Sequence, residues 1–290
     1  MLDADIKSFF DTINHTWLMK FLERRIGDPR MLRLIRKWLR AGVSEDGEWS
    51  RTEVGTPQGS VISPLLSNIY LHYVLDEWVQ AWRKSEASGE VIIVRYADDF
   101  VMGFQYQREA ERFLEAMMER FADHGLEIHS AKTRLIEFGR FAEANRAERQ
   151  EGKPETFDFL GFTHICSRTL KGNRFTIRRR TIAKRLRAKL KAVRIEIIRR
   201  RHEPVPVLGK WLRSVVQGHL NYFAVPGNKK ALDAFRTEIN KAWLYALRRR
   251  SHKARNLTWD RMKRLIKTWI PTARIKHPYP SQRLCVNYPR

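Results

Sequence analysis

Residues 91–104 read VIIVRYADDFVMGF: two apolar and β-branched runs with adjacent aspartates, Asp98 and Asp99, between them. In a continuous strand successive side chains point to opposite faces, so neighbouring carboxylates would be driven to opposite sides of the sheet. A turn between two strands removes the conflict. The runs at 91–94 and 100–104 therefore predict the arms of a hairpin whose tip carries Tyr96 to Asp99. Aspartate is also an ordinary turn residue, so a plain acidic turn is the alternative.

Upstream, MLDADIKSFF (1–10) alternates polar and apolar residues around Leu2, Ala4 and Ile6, as a half-buried strand does. HTWLMKFLERRIG (15–27) and PRMLRLIRKWLRAG (29–42) predict two helices stopped by glycines. SPLLSNIYLHYVLDEWVQAWRKS (63–85) predicts one long helix, with Ser63 as N-cap, Pro64 in the first turn and apolar residues at three- and four-residue spacing. After the hairpin come a helix over 108–125, short strands at 127–129 and 134–138, a polar loop over 143–155, the stretch TFDFLGF and a hairpin at 171–173. The remainder reads as helices over about 181–202, 207–224, 229–250 and 258–270.

The first strand carries Asp5. Paired beside the hairpin, it would let Asp5 and Asp98 meet across adjacent strands, with Asp99 close by. Converging carboxylates repel one another unless a divalent cation sits among them. Two such cations make a site for in-line phosphoryl displacement, activating a hydroxyl and stabilising the leaving oxygen.

Charge divides the chain. Residues 171–290 hold 33 Lys and Arg against 5 Asp and Glu, whereas residues 1–170 hold 23 against 27. A near-neutral part with clustered carboxylates fits a catalytic body; a strongly basic part fits a surface for a polyanion, a solvated helical face or a membrane-surface helix being the alternatives. The length of 290 residues and 43% hydrophobic content suit one large or two ordinary domains. No apolar run is long enough to span a bilayer and the first ten residues carry charges, so no membrane and a cytoplasmic location are expected. Cys166 and Cys285, the only cysteines, support neither a disulfide framework nor a cysteine-rich zinc site.

Five stretches in order, DIKSFFD (5–11), GTPQGSVISPLLSNIYL (55–71), YADD (96–99), GLEIHSAKT (125–133) and FDFLGF (157–162), resemble the palm motifs of reverse transcriptases, and most resemble the group II intron-encoded reverse transcriptase and maturase. The stretch from Leu212 to Ser251 is similar to that family's maturase domain. The resemblance implies an α+β right-hand polymerase palm, an antiparallel sheet with packed helices, over 1–165, followed by an all-α thumb and maturase region over 166–290. It implies RNA-directed DNA synthesis with two Mg2+ ions, coupled to intron RNA binding, splicing assistance and intron mobility. Its partners would be intron RNA, an RNA template, a DNA primer and deoxynucleoside triphosphates.

By the same resemblance Asp5, Asp98 and Asp99 are the metal carboxylates and the Ile6 carbonyl a further ligand. Phe10 lies under the incoming sugar and excludes a 2′-hydroxyl, unless it simply packs beside Phe9. Gln58 and Gly59 contact template and nucleotide. Lys132 stands near the triphosphate and would protonate the departing pyrophosphate, although an isolated lysine is more commonly solvated. Phe159, Leu160 and Gly161 grip the primer end, a buried hairpin being the alternative. Among the basic residues Arg178, Arg179, Arg180, Lys184, Arg185, Arg248, Arg249 and Arg250 are the candidates for RNA phosphates. Of the aromatics among them, Trp211, Tyr222, Phe223, Trp243, Tyr245, Trp259 and Trp269, more than half are expected in the core.

Two departures qualify the resemblance. The first catalytic aspartate stands at position 5, where a complete enzyme has a fingers region upstream, so a chain lacking fingers and polymerising weakly is expected. No His, Asn and paired-Cys cluster follows the basic region, so DNA cleavage by the chain is not expected. The rival readings are an RNA-binding splicing factor without polymerase activity, for which the missing fingers argue, and an RNA-directed RNA polymerase, which Phe10 disfavours.

Overall fold

The computed structural model describes residues 1–40, 43–45, 48–50, 55–56, 61–169 and 172–279. They form two compact units, Met1–Phe138 and Gly139–Arg290. Gln58, Gly59, Lys171 and Cys285 lie outside the described residues.

The first unit runs β1 (Leu2–Ala4), α1 (Phe9–Thr12), α2 (His15–Glu23), α3 (Pro29–Arg40), β2 (Val43–Glu45), β3 (Glu48–Ser50), α4 (Ser63–Leu71), a π-helical turn (His72–Asp76), α5 (Glu77–Ser85), β4 (Val91–Tyr96), β5 (Asp99–Phe104), α6 (Gln107–Asp123) and β6 (Arg134–Leu135). Four strands make an antiparallel sheet in the order β4-β5-β1-β6, and β2 and β3 pair separately. The alternation in the first six residues is real: Leu2, Ala4 and Ile6 are buried while Asp3 and Asp5 are not. Their buried face meets Phe100 and Met102 of β5, and helices cover it with Leu18, Phe21, Leu66, Tyr70, Val74, Phe113 and Phe121 in one continuous core. Asn14 caps α2, its Oδ1 accepting from the Thr16 and Trp17 N–H groups.

Local departures from the expected elements have physical causes. Ile62 takes the N-cap position and Ser63 begins the helix, buried, with Pro64 in the first turn as expected. The long helix is interrupted at His72–Asp76, where the Glu77 N–H reaches back to the His72 carbonyl in an i→i+5 bond. The strand expected at 127–129 shrinks to a bridge between Ile6 and Ile128, and that at 134–138 to two residues.

The second unit runs α7 (Ala142–Glu148), β7 (Phe157–Phe159), β8 (Phe162–Arg168), β9 (Phe175–Thr181), α8 (Ala183–Arg199), α9 (Val205–Phe223), α10 (Lys229–Arg248) and α11 (Trp259–Trp269). The α7 helix replaces the start of the expected loop: AEANRAE is rich in helix formers, and Ala142 is buried. β7, β8 and β9 form an antiparallel meander. The four long helices enclose a separate core around Leu208, Leu212, Phe235, Ile239 and Trp243. Trp243 is fully buried, Trp211, Phe223 and Trp269 pack against that core, and Tyr222, Tyr245 and Trp259 are exposed. The motif-based boundary at 165/166 runs through β8, whereas the compact units divide at Phe138. No helix among the described residues is long and apolar enough to cross a membrane.

Candidate active site

The register of β1 on β5 pairs Leu2 with Met102, Asp3 with Val101 and Ala4 with Phe100. β1 ends there, and the same register carried one residue past it would bring Asp5 level with Asp99. Residues directly opposite share a face, so in that register both aspartates would lie on the side away from Ala4 and Phe100. Tyr96 pairs with Asp99, which leaves Ala97 and Asp98 as a two-residue turn. The hairpin is the expected one, with Ala97 and Asp98 at its tip. Asp5 and Asp98 are partly buried and Asp99 is exposed.

Ala97 adopts φ 55°, a left-handed conformation that costs a residue with a Cβ about 1–2 kcal/mol. Arg95 holds it. Its guanidinium donates to both carboxylate oxygens of Asp76 (2.8 and 2.5 Å), to Asn68 Oδ1 (2.9 Å) and to the Ala97 carbonyl (2.8 Å). Asn68 and Asp76 are eight positions apart, about 80° out of line on a regular α-helix. The extra residue of the π-helical turn brings them nearer to one face, where both reach the same arginine. Neither Arg95 nor Asp76 was singled out from sequence. An arginine at a strand position and a carboxylate on a helix are each unremarkable, and only the π-turn joins them.

Asp5 is fixed on three sides. Its carbonyl accepts from the His129 N–H (2.8 Å), its N–H donates to Thr133 Oγ1 (3.4 Å), and its carboxylate pairs with Lys132 Nζ at 2.7 Å. Lys132 therefore stands at the carboxylate centre. The bridge between Ile6 and Ile128 is made by flanking groups: the Lys7 N–H donates to Glu127 and the His129 N–H to Asp5. The Ile6 carbonyl takes no part in it, and strand alternation turns that carbonyl towards the β5 side.

These oxygen donors suit a hard divalent cation, and the backbone sets Asp5, Ile6 and Asp99 on neighbouring strands beside Asp98. As the side chains stand, no group of three or more His, Cys, Asp or Glu is gathered to hold a metal among the described residues.

Phe10 sits half-buried on α1, its ring 5.4 Å from that of Phe9, so core packing accounts for part of its surface. The segment leading to Gln58 and Gly59 is pinned beside it: the Thr56 N–H donates to the Phe10 carbonyl (2.7 Å), the Gly55 N–H to Ile13 (2.9 Å), and His15 Nε2 lies 2.5 Å from the Gly55 carbonyl. Gly55 has φ 89°, and a Cβ there would lie 2.7 Å from the Asp11 carbonyl oxygen. No other residue fits that contact.

In the second unit, Leu160 (φ 47°) and Gly161 (φ 82°) form the two-residue turn between β7 and β8, a type I′ geometry. The Tyr222 hydroxyl donates to the Leu160 carbonyl (2.8 Å) and the Ile182 N–H to that of Gly161 (3.1 Å), which ties the Phe159–Gly161 turn to the helices. The basic candidates separate into two kinds. Arg178, Arg180, Lys184 and Arg185 are exposed and form no ion pair among the described residues, while Arg179 is half-buried and burial pushes its pKa down. Arg248 donates to the Leu257 carbonyl (2.9 Å), Arg249 lies over the Tyr245 ring, and Arg250 reaches the Glu203 carbonyl, its pKa also lowered by burial. That second run is largely engaged within the fold.

The first unit is thus an antiparallel sheet backed by helices, with Asp98 and Asp99 at the β4–β5 hairpin and Asp5 just past β1. Residues 1–164 match the family described as reverse transcriptase (RNA-dependent DNA polymerase), and the chain belongs to that family. It is 46% identical over 78 residues to the group II intron-encoded protein LtrA of Lactococcus lactis subsp. cremoris, 27% of this chain and 13% of that protein. Protein YkfC of Escherichia coli is 38% identical over 39% of this chain and 37% of its own length. An uncharacterized 91 kDa protein in a cob intron of Schizosaccharomyces pombe is 47% identical over 27% of this chain and 10% of its own length. The chain thus spans less than two fifths of these relatives. A telomerase structure from Candida albicans, in complex with a TWJ fragment of telomeric RNA, aligns over 92% of this chain and 45% of that one, with a TM-score of 0.46 and 14% identity.

Proposed function

We propose that the chain is an RNA-directed DNA polymerase of the group II intron type, which also binds intron RNA through its basic second unit and assists splicing. The observation that supports this reading is the pairing of β1 with β5, which ends at Ala4 and Phe100, one residue short of Asp5 and Asp99, with Asp98 in the adjoining turn. Asp5, Asp98, Asp99 and the Ile6 carbonyl would hold two Mg2+ ions. Bound there, the ions activate a primer 3′-hydroxyl and stabilise charge on the departing pyrophosphate. Lys132, already at Asp5, would donate a proton to that leaving group. The Phe10 ring would exclude a ribose 2′-hydroxyl, and Arg95 would keep the Asp98 turn in place.

Primer extension on an RNA template, with deoxynucleotides and magnesium, tests the reading. Asp98→Asn should lower extension at least about a thousandfold, the equivalent of about 4 kcal/mol of lost transition-state stabilisation, while RNA binding survives. Retained extension would sink the ligand assignment. A second reading, an RNA-binding maturase without polymerase activity, rests on the exposed basic residues of the second unit alone. It predicts tight RNA binding and no extension by the unaltered chain.

A further inference from the structure

A cavity of about 440 Å3 opens in the second unit where α8 and α9 meet, within the size range of small-molecule sites. Its rim is exposed and its floor is buried. Arg185 and Lys189 stand on the rim one turn apart on α8, both exposed and neither in an ion pair among the described residues. Tyr222, about half exposed, and Phe223 supply an aromatic wall from α9. The floor is His219, 8% exposed, with its ring centroid 3.8 Å from that of Phe235 and 4.6 Å from that of Phe223. His219 Nε2 is buried without a hydrogen-bond partner. Burial foremost, and Lys189 in addition, push this imidazole down to about 4, so it is neutral at physiological pH.

We infer that this cavity holds one unpaired nucleotide of a bound RNA strand, with its base against Tyr222 and Phe223 over His219 and its phosphate on Arg185 and Lys189. The inference rests on the RNA binding proposed above for the second unit. Each wall matches one part of a nucleotide. Every base presents a π face to an aromatic ring, and a strand phosphate complements two cations that have no carboxylate partner among the described residues. An aliphatic ligand would leave the cations unused, and a duplex keeps its base faces inside the stack.

Gly218 supplies the decisive variant. It lies exposed on the rim within α9, and a Cβ built there meets no atom within 4 Å. Gly218→Leu therefore starts its side chain from open space and narrows the mouth, and Gly218→Ala, which favours the helix, is the control. The full chain would be titrated by fluorescence anisotropy with single-stranded adenosine and uridine octamers and with an RNA duplex of the same length. AMP and UMP would be titrated directly by calorimetry. Gly218→Leu should weaken octamer binding roughly tenfold, leave duplex binding unchanged, and Gly218→Ala should match the unaltered chain. Octamer binding that Gly218→Leu does not change, in a chain that binds both RNAs, overturns the cavity assignment and leaves RNA binding standing. Binding of neither RNA overturns both readings. Mononucleotide binding lost in Gly218→Leu, with octamer binding unaffected, would overturn the strand as the source and assign the cavity to free nucleotides.

Discussion

His219 shows at the scale of one residue how burial becomes a measurable property. Free of the fold, its imidazole takes a proton near the ordinary value of 6.5; in the fold it does so only at about 4. Between these values the unfolded state binds more protons, so stability falls as the pH drops, whereas above pH 6.5 both states are neutral and the contribution is flat. The full effect is roughly 3 kcal/mol, at about 1.4 kcal/mol per pH unit. His219→Phe keeps a ring against Phe235 and removes the titration. Chemical denaturation of the full chain at pH 7.5 and 4.5, followed by helical circular dichroism, should show a smaller acid loss in this variant; equal losses would mean that His219 is not the buried base described. Site residues differ in how openly sequence declares them. Asp5, Asp98 and Asp99 stand out because carboxylates are unusual among apolar strand residues. His219, on an apolar helix face, looks like any core residue, and the cavity beside it exists only once α8 and α9 meet.

The hairpin and its supports define the next scale. Its arms were legible because apolar runs flank the aspartates, whereas the π-turn leaves no mark in the hydrophobic spacing and α7 was masked by its polarity. The helix and the hairpin are joined through Arg95 and Asp76, whose side chains are only 14% and 26% exposed. Arg95→Met should strand the Asp76 carboxylate and lower stability by about 2 kcal/mol. Adding Asp76→Asn removes the stranded charge and should recover much of that loss. It cannot restore the donor to the Ala97 carbonyl. The double variant should therefore regain stability in chemical denaturation while primer extension stays depressed. Recovery of both would show that Arg95 acts through stability alone and does not position the turn.

At the scale of the whole molecule, charge asymmetry was the plainest feature of the sequence and the division between units the least. Composition changes near residue 170, but the structural division falls at Phe138, because β8 pairs along its length with β9 and the β7–β8 turn is tied to the helices of the second unit. Nor does a count of 33 basic residues say which of them are free to meet a polyanion. The structure separates Arg178, Arg180, Lys184 and Arg185, exposed and without ion pairs among the described residues, from Arg248 and Arg250, which are bound to backbone carbonyls, and Arg249, which lies over Tyr245. Each neutralised phosphate contributes about 0.7 to 0.9 to the slope of log affinity against log salt. RNA affinity of the full chain, measured from low to moderate salt, should therefore fall with a slope of about −3 or steeper. Replacing Arg178, Arg180, Lys184 and Arg185 with glutamine should flatten that slope by about 3. The same replacement at Arg248, Arg249 and Arg250 should flatten it by less than about 1, because those guanidiniums are committed within the fold. Equal flattening by the two sets, or a slope near zero in the unaltered chain, would remove the β9–α8 surface as the place where phosphates bind.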